Sequence, residues 1–206
     1  VPGERVVYTS YGYNLLAAIL QNAAGKRFQD YIRETIIDPM ELKNTGQIDL
    51  RFPMENRSRM YSFVDPYSRD VSDRLMVVPT MEHSYNAGGG NLYSTAEDLA
   101  VFGAKFITPG FLSERIYQQI YTPHQTSRGE PTWFSDGWVL IALTEDPASL
   151  ISAGSYPGVQ AMLRVYPDEA MVIVLLTNTW GKKGSGGAFA NRLSDELATI
   201  ILSSAE

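Results

Sequence analysis

The order of hydrophobic periodicities along this 206-residue chain predicts an α+β fold, an antiparallel sheet flanked by helices. Three observations carry that prediction. The first half holds apolar residues at helical spacing, and the last third changes to strand-like runs, two of them joined by the tight connection Pro167-Asp168-Glu169. A final helical pattern then closes the chain and can pack back on the sheet.

The elements follow in order. After a Pro-Gly turn, Arg5-Val6-Val7-Tyr8 reads as a short β-type run, and Thr9 and Ser10 offer helix N-caps. Tyr13, Leu16, Ala17, Ile19, Leu20 and Ala24 then follow helical spacing up to Gly25, a left-handed C-cap. A second helix is expected from Phe28 to about Ile37, with Phe28, Tyr31, Ile32 and Thr35 on one face, stopped by Pro39. Residues 43–80 are polar and aperiodic, which predicts loops and short strands of the kind that frame binding sites. Gly88-Gly89-Gly90 makes a turn before a helix capped by Ser94 or Thr95. Glu97 stands at capping-box spacing from Ser94, and Leu99, Phe102, Gly103 and Phe106 supply the apolar face. A weaker helix follows from Leu112 to Ile120.

Strands are expected over Gly137 to Leu143, Leu150 to Ala153, Val159 to Tyr166 and Ala170 to Thr177. Val172 to Leu176 is continuously apolar, the pattern of a central strand covered on both faces. The loop 181–187 reads as flexible, and the last helix runs from about Phe189 to Leu202 with Leu193, Leu197, Ile200 and Ile201 inward. At this length a single domain, 1–206, is expected, since domains mostly run ~100–200 residues.

Composition removes several functions. A net charge of −6 argues against a nucleic-acid surface, because Arg57, Arg59, Arg69 and Arg74 are interleaved with Asp65, Asp70 and Asp73. With no cysteine there are no disulfides, thiol nucleophiles or Cys-ligated metals. No GxSxG elbow, HExxH or phosphate loop is present. His83 and His124 read as surface or loop residues, and Trp133 and Trp138 as core or cleft wall. No cofactor or metal is expected. No apolar run reaches the ~18–20 residues of a membrane-spanning helix.

Three segments are informative. Pro2 to Leu16 centres on Tyr8-Thr9-Ser10 at a strand-to-helix junction. Ala87 to Phe106 contains Ala-Gly-Gly-Gly-Asn-Leu-Tyr-Ser-Thr-Ala-Glu-Asp-Leu. Ser152-Ala153-Gly154-Ser155-Tyr156-Pro157-Gly158 lies one strand before the closing hairpin. In this order they resemble the motifs of serine β-lactamases of the class C type and the related D-alanyl-D-alanine peptidases and esterases. The resemblance covers nearly the whole chain and looks strongest to the mitochondrial lactamase-like serine protease branch and its bacterial relatives.

That resemblance implies a β-lactamase/transpeptidase-like fold and a serine hydrolase that opens amide or ester bonds through an acyl-enzyme. It implies Tyr8 as general base, the Ser155 backbone N–H as an oxyanion donor, Ser10 and Ser152 at the positions of substrate-orienting and cationic groups, and Gly154 and Tyr156 at the substrate. Acyl transfer needs a nucleophile, a base and oxyanion donors. A phenol with a reference pKa near ~10 serves as a base at neutral pH only when neighbouring cations depress it. In the family, the Lys of Ser-x-x-Lys does so.

The chain departs from the pattern in three ways. It contains no Ser-x-x-Lys, Ser10 replaces an Asn, and Ser152 stands where the family has Lys or His. The expectation is therefore the C-terminal portion of a β-lactamase-like domain whose N-terminal part, with the nucleophile, is missing, inactive by itself. The missing segment would be its partner, with self-association possible through the apolar surface left open. A small amide or ester substrate is expected, with no nucleic acid. An extracytoplasmic location is favoured for a bacterial parent. The alternative is a non-catalytic homologue that binds peptide or peptidoglycan-like ligands or acts structurally.

Overall fold

A computed structural model describes residues 1–81, 83–140, 148–181 and 188–204. Residues 6–9 form no strand and pair with no strand among the described residues, so the expected first strand is not formed there; Thr9 is extended and leads directly into a helix. Helix α1, Ser10–Ala24, starts at Thr9, whose hydroxyl accepts from the Tyr11 amide, and stops at Gly25 in the left-handed region (φ 65). Within it only Ala17 is buried; Leu15, Leu16, Ile19 and Leu20 stay exposed.

Helix α2, Phe28–Ile32, continues as a π-turn, Arg33–Ile37, in which the Asp38 amide reaches back to the Arg33 carbonyl (2.9 Å). That extra residue per turn rotates the apolar face. Ile32 and Ile37 turn inward with Leu42 against Phe102, while Thr35, expected inward, is exposed and donates to the Tyr31 carbonyl. The polar stretch after Pro39 forms β1 (Gly46–Gln47), β2 (Met60–Val64) and the eight-residue β3 (Val71–Val78), longer than expected. Strand β4 (Leu92–Tyr93) pairs with β1, and β2 lies between β3, antiparallel, and the parallel β8 (Thr179–Trp180).

Helix α3, Ala96–Lys105, is capped by Thr95 through the Asp98 amide, not by a Ser94–Glu97 box. Asp98 faces inward, because its carboxylate accepts from the Asn44 amide and the Thr45 hydroxyl (both 2.7 Å) and ties that loop to the helix start. Helix α4 is Glu114–Tyr121, capped by Ser113. The expected strand 137–143 shows only isolated bridges at Val139, to Phe134 and to Ile151; residues 141–143 lie outside the described residues, as do 182–187 of the glycine loop.

The main sheet has the order β5 (Leu150–Tyr156), β6 (Val159–Tyr166), β7 (Met171–Thr177), all antiparallel. Among the described residues the central strand is β6, enclosed by hairpins on both sides, while the more apolar β7 lies at an edge with α3 and α5 over its two faces, as a strand covered on both faces requires. One face of the sheet is packed by α3 and α4 through Leu150, Leu163, Val165, Trp138 and Ile120. Gly103 allows that approach, since a Cβ there would sit 2.8 Å from Val172 and 2.9 Å from Leu163. Fully buried side chains such as Leu150 and Val165 each stabilise the fold by roughly 1.5–3 kcal/mol. The other face carries α5, Ala188–Ser203, through Tyr166, Ile173, Leu197 and Ala198. Ile200 and Ile201, expected inward, are exposed, because Ala190, Ser194 and Ala198 form the face that meets the sheet. Arg164, buried, reaches α5 by a hydrogen bond to Ser194 and an ion pair with Asp195, and also meets Ser149 at 2.8 Å.

Candidate active site

Tyr8 precedes the α1 cap, so its ring has no helical turn to pack into and stands 56% exposed. It lies tilted against Tyr13 at 5.5 Å and edge-on to Phe134 at 6.5 Å. Burial, and then the nearby Tyr8, push the Tyr13 phenol above its ordinary range. Ser10 is the exposed first residue of α1.

Strand β5 carries the other candidates. Ile151 exchanges both backbone hydrogen bonds with Val139, at 2.9 and 3.2 Å, so its N–H and C=O point away from β6. These directions alternate along an antiparallel strand. The regular register through Tyr156 therefore turns the amides of Ala153 and Ser155 outward as well. No described backbone group accepts from the Ser155 N–H on that edge. Side chains alternate too. Ser155 and Ala153 share the α5 face with their partners Gln160 and Met162, whereas Ser152, Gly154 and Tyr156 take the opposite face. Ser152 is exposed and its side chain makes no hydrogen bond among the described residues, at the position where the resembled family carries Lys or His.

Two routes of contact join these segments. In the first, the Tyr8 ring meets Phe134, Phe134 bridges to Val139, and Val139 to Ile151, bringing the start of α1 to the outer edge of β5. The second runs through the glycine turn. Asn14 Oδ1 accepts from the Gly88 and Gly89 amides at 3.1 and 3.2 Å, and its Nδ2 donates to Asn86 Oδ1 at 2.9 Å. A Cβ at Gly88 would lie 2.3 Å from the Tyr13 carbonyl oxygen, and one at Gly89 2.9 Å from that of Ser10. This pins the 3-10 turn Ser84–Asn86 to α1, and His83, just before it, packs edge-on against Tyr156 at 4.6 Å. The Tyr156 hydroxyl donates to Met81 Sδ at 2.9 Å. Burial first, and then Tyr85, raise the Tyr156 phenol above its usual value, with Arg69 acting the other way.

Among the described residues no hydrogen bond joins Tyr8, Ser10, Ser152 and Ser155 to one another, so the candidates do not form a closed network. A depression of about 100 Å³ is lined by Ala153, Gly154, Ser155, Gln160, Ala161 and Ala190. Gln160 Oε1 is buried without a partner among the described residues, while its Nε2 donates to the Thr179 carbonyl at 3.2 Å. Of the two histidines, His124 pairs with Asp136 at 2.9 Å on the surface. No group of three or more metal-ligating side chains occurs among the described residues. Sequence reasoning passed over Asn14, Asn86 and Phe134, which hold the candidate segments together. The one available signal was a polar Asn inside the otherwise apolar run of α1.

An antiparallel sheet with helices on both faces, with an outward amide edge beside the start of a helix, defines an α+β scaffold of the β-lactamase kind. The chain belongs to the beta-lactamase family, whose family model matches residues 1–196. It is 26% identical over 185 residues to penicillin-binding protein 4* of Bacillus subtilis, covering 86% of this chain and 40% of that protein. It is 26% identical over 195 residues to the human mitochondrial serine beta-lactamase-like protein LACTB, covering 82% of this chain and 34% of that protein. The D-amino acid amidase of Ochrobactrum anthropi SV3 has a similar structure, with a TM-score of 0.79 over 98% of this chain and 60% of that one at 18% identity. The chain thus spans less than half the length of these curated relatives. No helix among the described residues is long and apolar enough to cross a membrane.

Proposed function

We propose that this chain forms one wall of a serine hydrolase site that opens small amide or ester bonds through an acyl-enzyme. The observation that supports this most is the outward N–H of Ser155 on an edge strand that contacts tie to the exposed Tyr8. In this reading the Tyr8 phenolate oxygen takes the proton of an attacking serine hydroxyl as the serine oxygen bonds to the substrate carbonyl carbon. The Ser155 amide donates to the oxyanion, which costs no reorganisation because the strand fixes the donor beforehand. Collapse expels the leaving group, which receives the proton from Tyr8, and water then releases the acyl group by the same route. Ser10 and Ser152 offer hydroxyls to the substrate, and Gly154 and Tyr156 border it.

The nucleophile and its lysine are absent from these 206 residues, and the relatives are much longer. We therefore assign both to the rest of the protein, which makes this chain inactive by itself. The apolar side chains open on α1, Leu15, Leu16 and Ile19, suit contact with that remainder or, in its absence, self-association. A second reading, a non-catalytic homologue that binds peptide-like ligands, is favoured by one observation: Ser152 offers no positive charge at the substrate edge. Intact mass spectrometry of the full-length protein after treatment with a serine-reactive phosphonate separates the two. One adduct on the full-length protein and none on residues 1–206 is expected; no adduct on either would leave the binder.

A further inference from the structure

The hairpin of β2 and β3 leaves two arginines without a counter-charge. Residues 57–74 read in sequence as mixed charge, but the fold separates the signs. Asp65 turns its carboxylate into its own turn, where the Ser68 and Tyr67 amides donate to it at 2.9 and 2.8 Å. Arg57 and Arg59 make no ion pair and no side-chain hydrogen bond among the described residues. Both border a cavity of about 290 Å³. Ser58 and Thr80 add two hydroxyls to it, and Met60, Val77 and Pro79 make an apolar side. The frame around this cavity is fixed. Met60 pairs with Val78, and Asn178 brackets the strand start: its carbonyl accepts from the Tyr61 amide at 2.9 Å and its side chain donates to the Arg59 carbonyl at 3.0 Å. The β5–β6 turn closes on the same pair at Gly158, where a Cβ would sit 2.6 Å from Met60 Cβ and 3.1 Å from Val78. Arg59 therefore extends from held backbone, with Arg57 two residues before it. Unpaired guanidiniums beside hydroxyls favour an oxyanion. Two of them match the charge of about −1.5 to −2 on a phosphate monoester, whereas a carboxylate supplies one charge. The apolar side favours a ligand with a carbon body.

We propose that Arg57 and Arg59 bind the phosphate of a small soluble phosphate monoester whose apolar body lies against Met60, Val77 and Pro79. Ser58 and Thr80 donate hydrogen bonds to the same phosphate. None of these residues is a candidate of the hydrolase site, so the pocket stands whether or not the protein forms an acyl-enzyme. The net charge of −6 on this chain opposes docking on an anionic lipid surface and favours the soluble ester as the source.

The test is isothermal titration calorimetry of the full-length protein with hexyl phosphate, inorganic phosphate and hexanol. Hexyl phosphate is expected to bind saturably, at least about 5-fold tighter than inorganic phosphate because its chain covers the apolar side, while hexanol gives no binding at the same concentrations. Arg57→Gln and Arg59→Gln are each expected to weaken hexyl phosphate by roughly 10-fold, the contribution of one charge-assisted hydrogen bond, and Arg59→Lys by less because the charge remains. Urea midpoints of all three variants should match that of the unaltered protein, since neither guanidinium pairs with the chain. Absence of saturable binding, equal affinity for hexyl and inorganic phosphate, or Gln variants that bind hexyl phosphate as tightly as the unaltered protein would each overturn the site. Vesicles containing phosphatidic acid separate the two sources of such a phosphate. No co-sedimentation is expected; co-sedimentation that disappears in the Arg57→Gln/Arg59→Gln double variant would overturn the soluble ester in favour of a lipid headgroup.

Discussion

Gly88→Ala tests how the cleft is built. A Cβ at this position would lie 2.3 Å from the Tyr13 carbonyl oxygen, 2.9 Å from the Tyr13 carbonyl carbon and 2.7 Å from Ala17 Cβ. Two of these atoms are backbone of α1 and cannot rotate away, so the turn has to move off the helix by about 1 Å to regain ordinary contact distance. That displacement stretches the hydrogen bonds from the Gly88 and Gly89 amides to Asn14, now 3.1 and 3.2 Å, beyond useful length. Two such bonds contribute about 0.5–1.5 kcal/mol each. Overpacking adds about 1–3 kcal/mol. The expected loss is about 2–6 kcal/mol, read as a lower urea midpoint with unchanged slope in the full-length protein. Gly90→Ala is the control, because its Cβ would meet only the movable Asn86 amide at 3.0 Å. A Gly88→Ala midpoint equal to that of Gly90→Ala would refute the claim that this turn is seated on α1 by close backbone contact.

Asp98→Ala leaves the Asn44 amide without an acceptor and the Thr45 hydroxyl with only Ser94, so a loss of about 2–4 kcal/mol is expected in the same denaturation assay, and less for Asp98→Asn. Tyr121, held above its ordinary range by burial, stays protonated in the folded state at pH values where an unfolded tyrosine ionises near ~10. The unfolded state then binds fewer protons, so this contribution is fully present below that pH and is lost as pH rises above it. Urea midpoints measured from pH 9 to 11.5 should fall less steeply in Tyr121→Phe than in the unaltered protein; parallel curves would contradict the assignment. Tyr8→Phe in the full-length protein should slow phosphonate labelling or ester turnover by about 10²–10⁴-fold, the usual contribution of a general base, while leaving the urea midpoint nearly unchanged because the ring is exposed. An unaffected labelling rate would move the base elsewhere.

The range of the forces involved separates what the sequence shows from what the folded chain decides. The bounds of α1, α3 and the β6–β7 hairpin were legible because they depend on neighbours in the chain. Thr9 caps its own helix, Gly25 takes the left-handed turn that ends it, and Pro167-Asp168-Glu169 joins the two strands. The order of the three motif segments and the family were legible for the same reason, as residue identities at fixed spacing. Errors arose where a distant partner decides. Val172 to Leu176 is covered on both faces, by α3 and α5, as its apolar run implies, but among the described residues it pairs on one side only, so β6 and not β7 is central. The π-turn at Arg33–Ile37 carries Thr35 out of the core, and the close fit of Ala190, Ser194 and Ala198 to the sheet leaves Ile200 and Ile201 outside.

The cleft divides in the same way. Sequence alone named the candidates for the proposed site, Tyr8, Ser10, Ser152, Gly154, Ser155 and Tyr156, and determined that no Ser-x-x-Lys accompanies them in this stretch. Tertiary structure decided which way the Ser155 amide points, because that direction is inherited from the pairing of Ile151 with Val139 and not from any property of serine. It also decided that His83 and Tyr85 stand beside Tyr156, more than seventy residues away in sequence, because Asn14 holds their turn against α1. Side-chain chemistry is written locally, whereas the direction of an amide and the company of a ring come from backbone pairing between segments that meet only when the chain is folded.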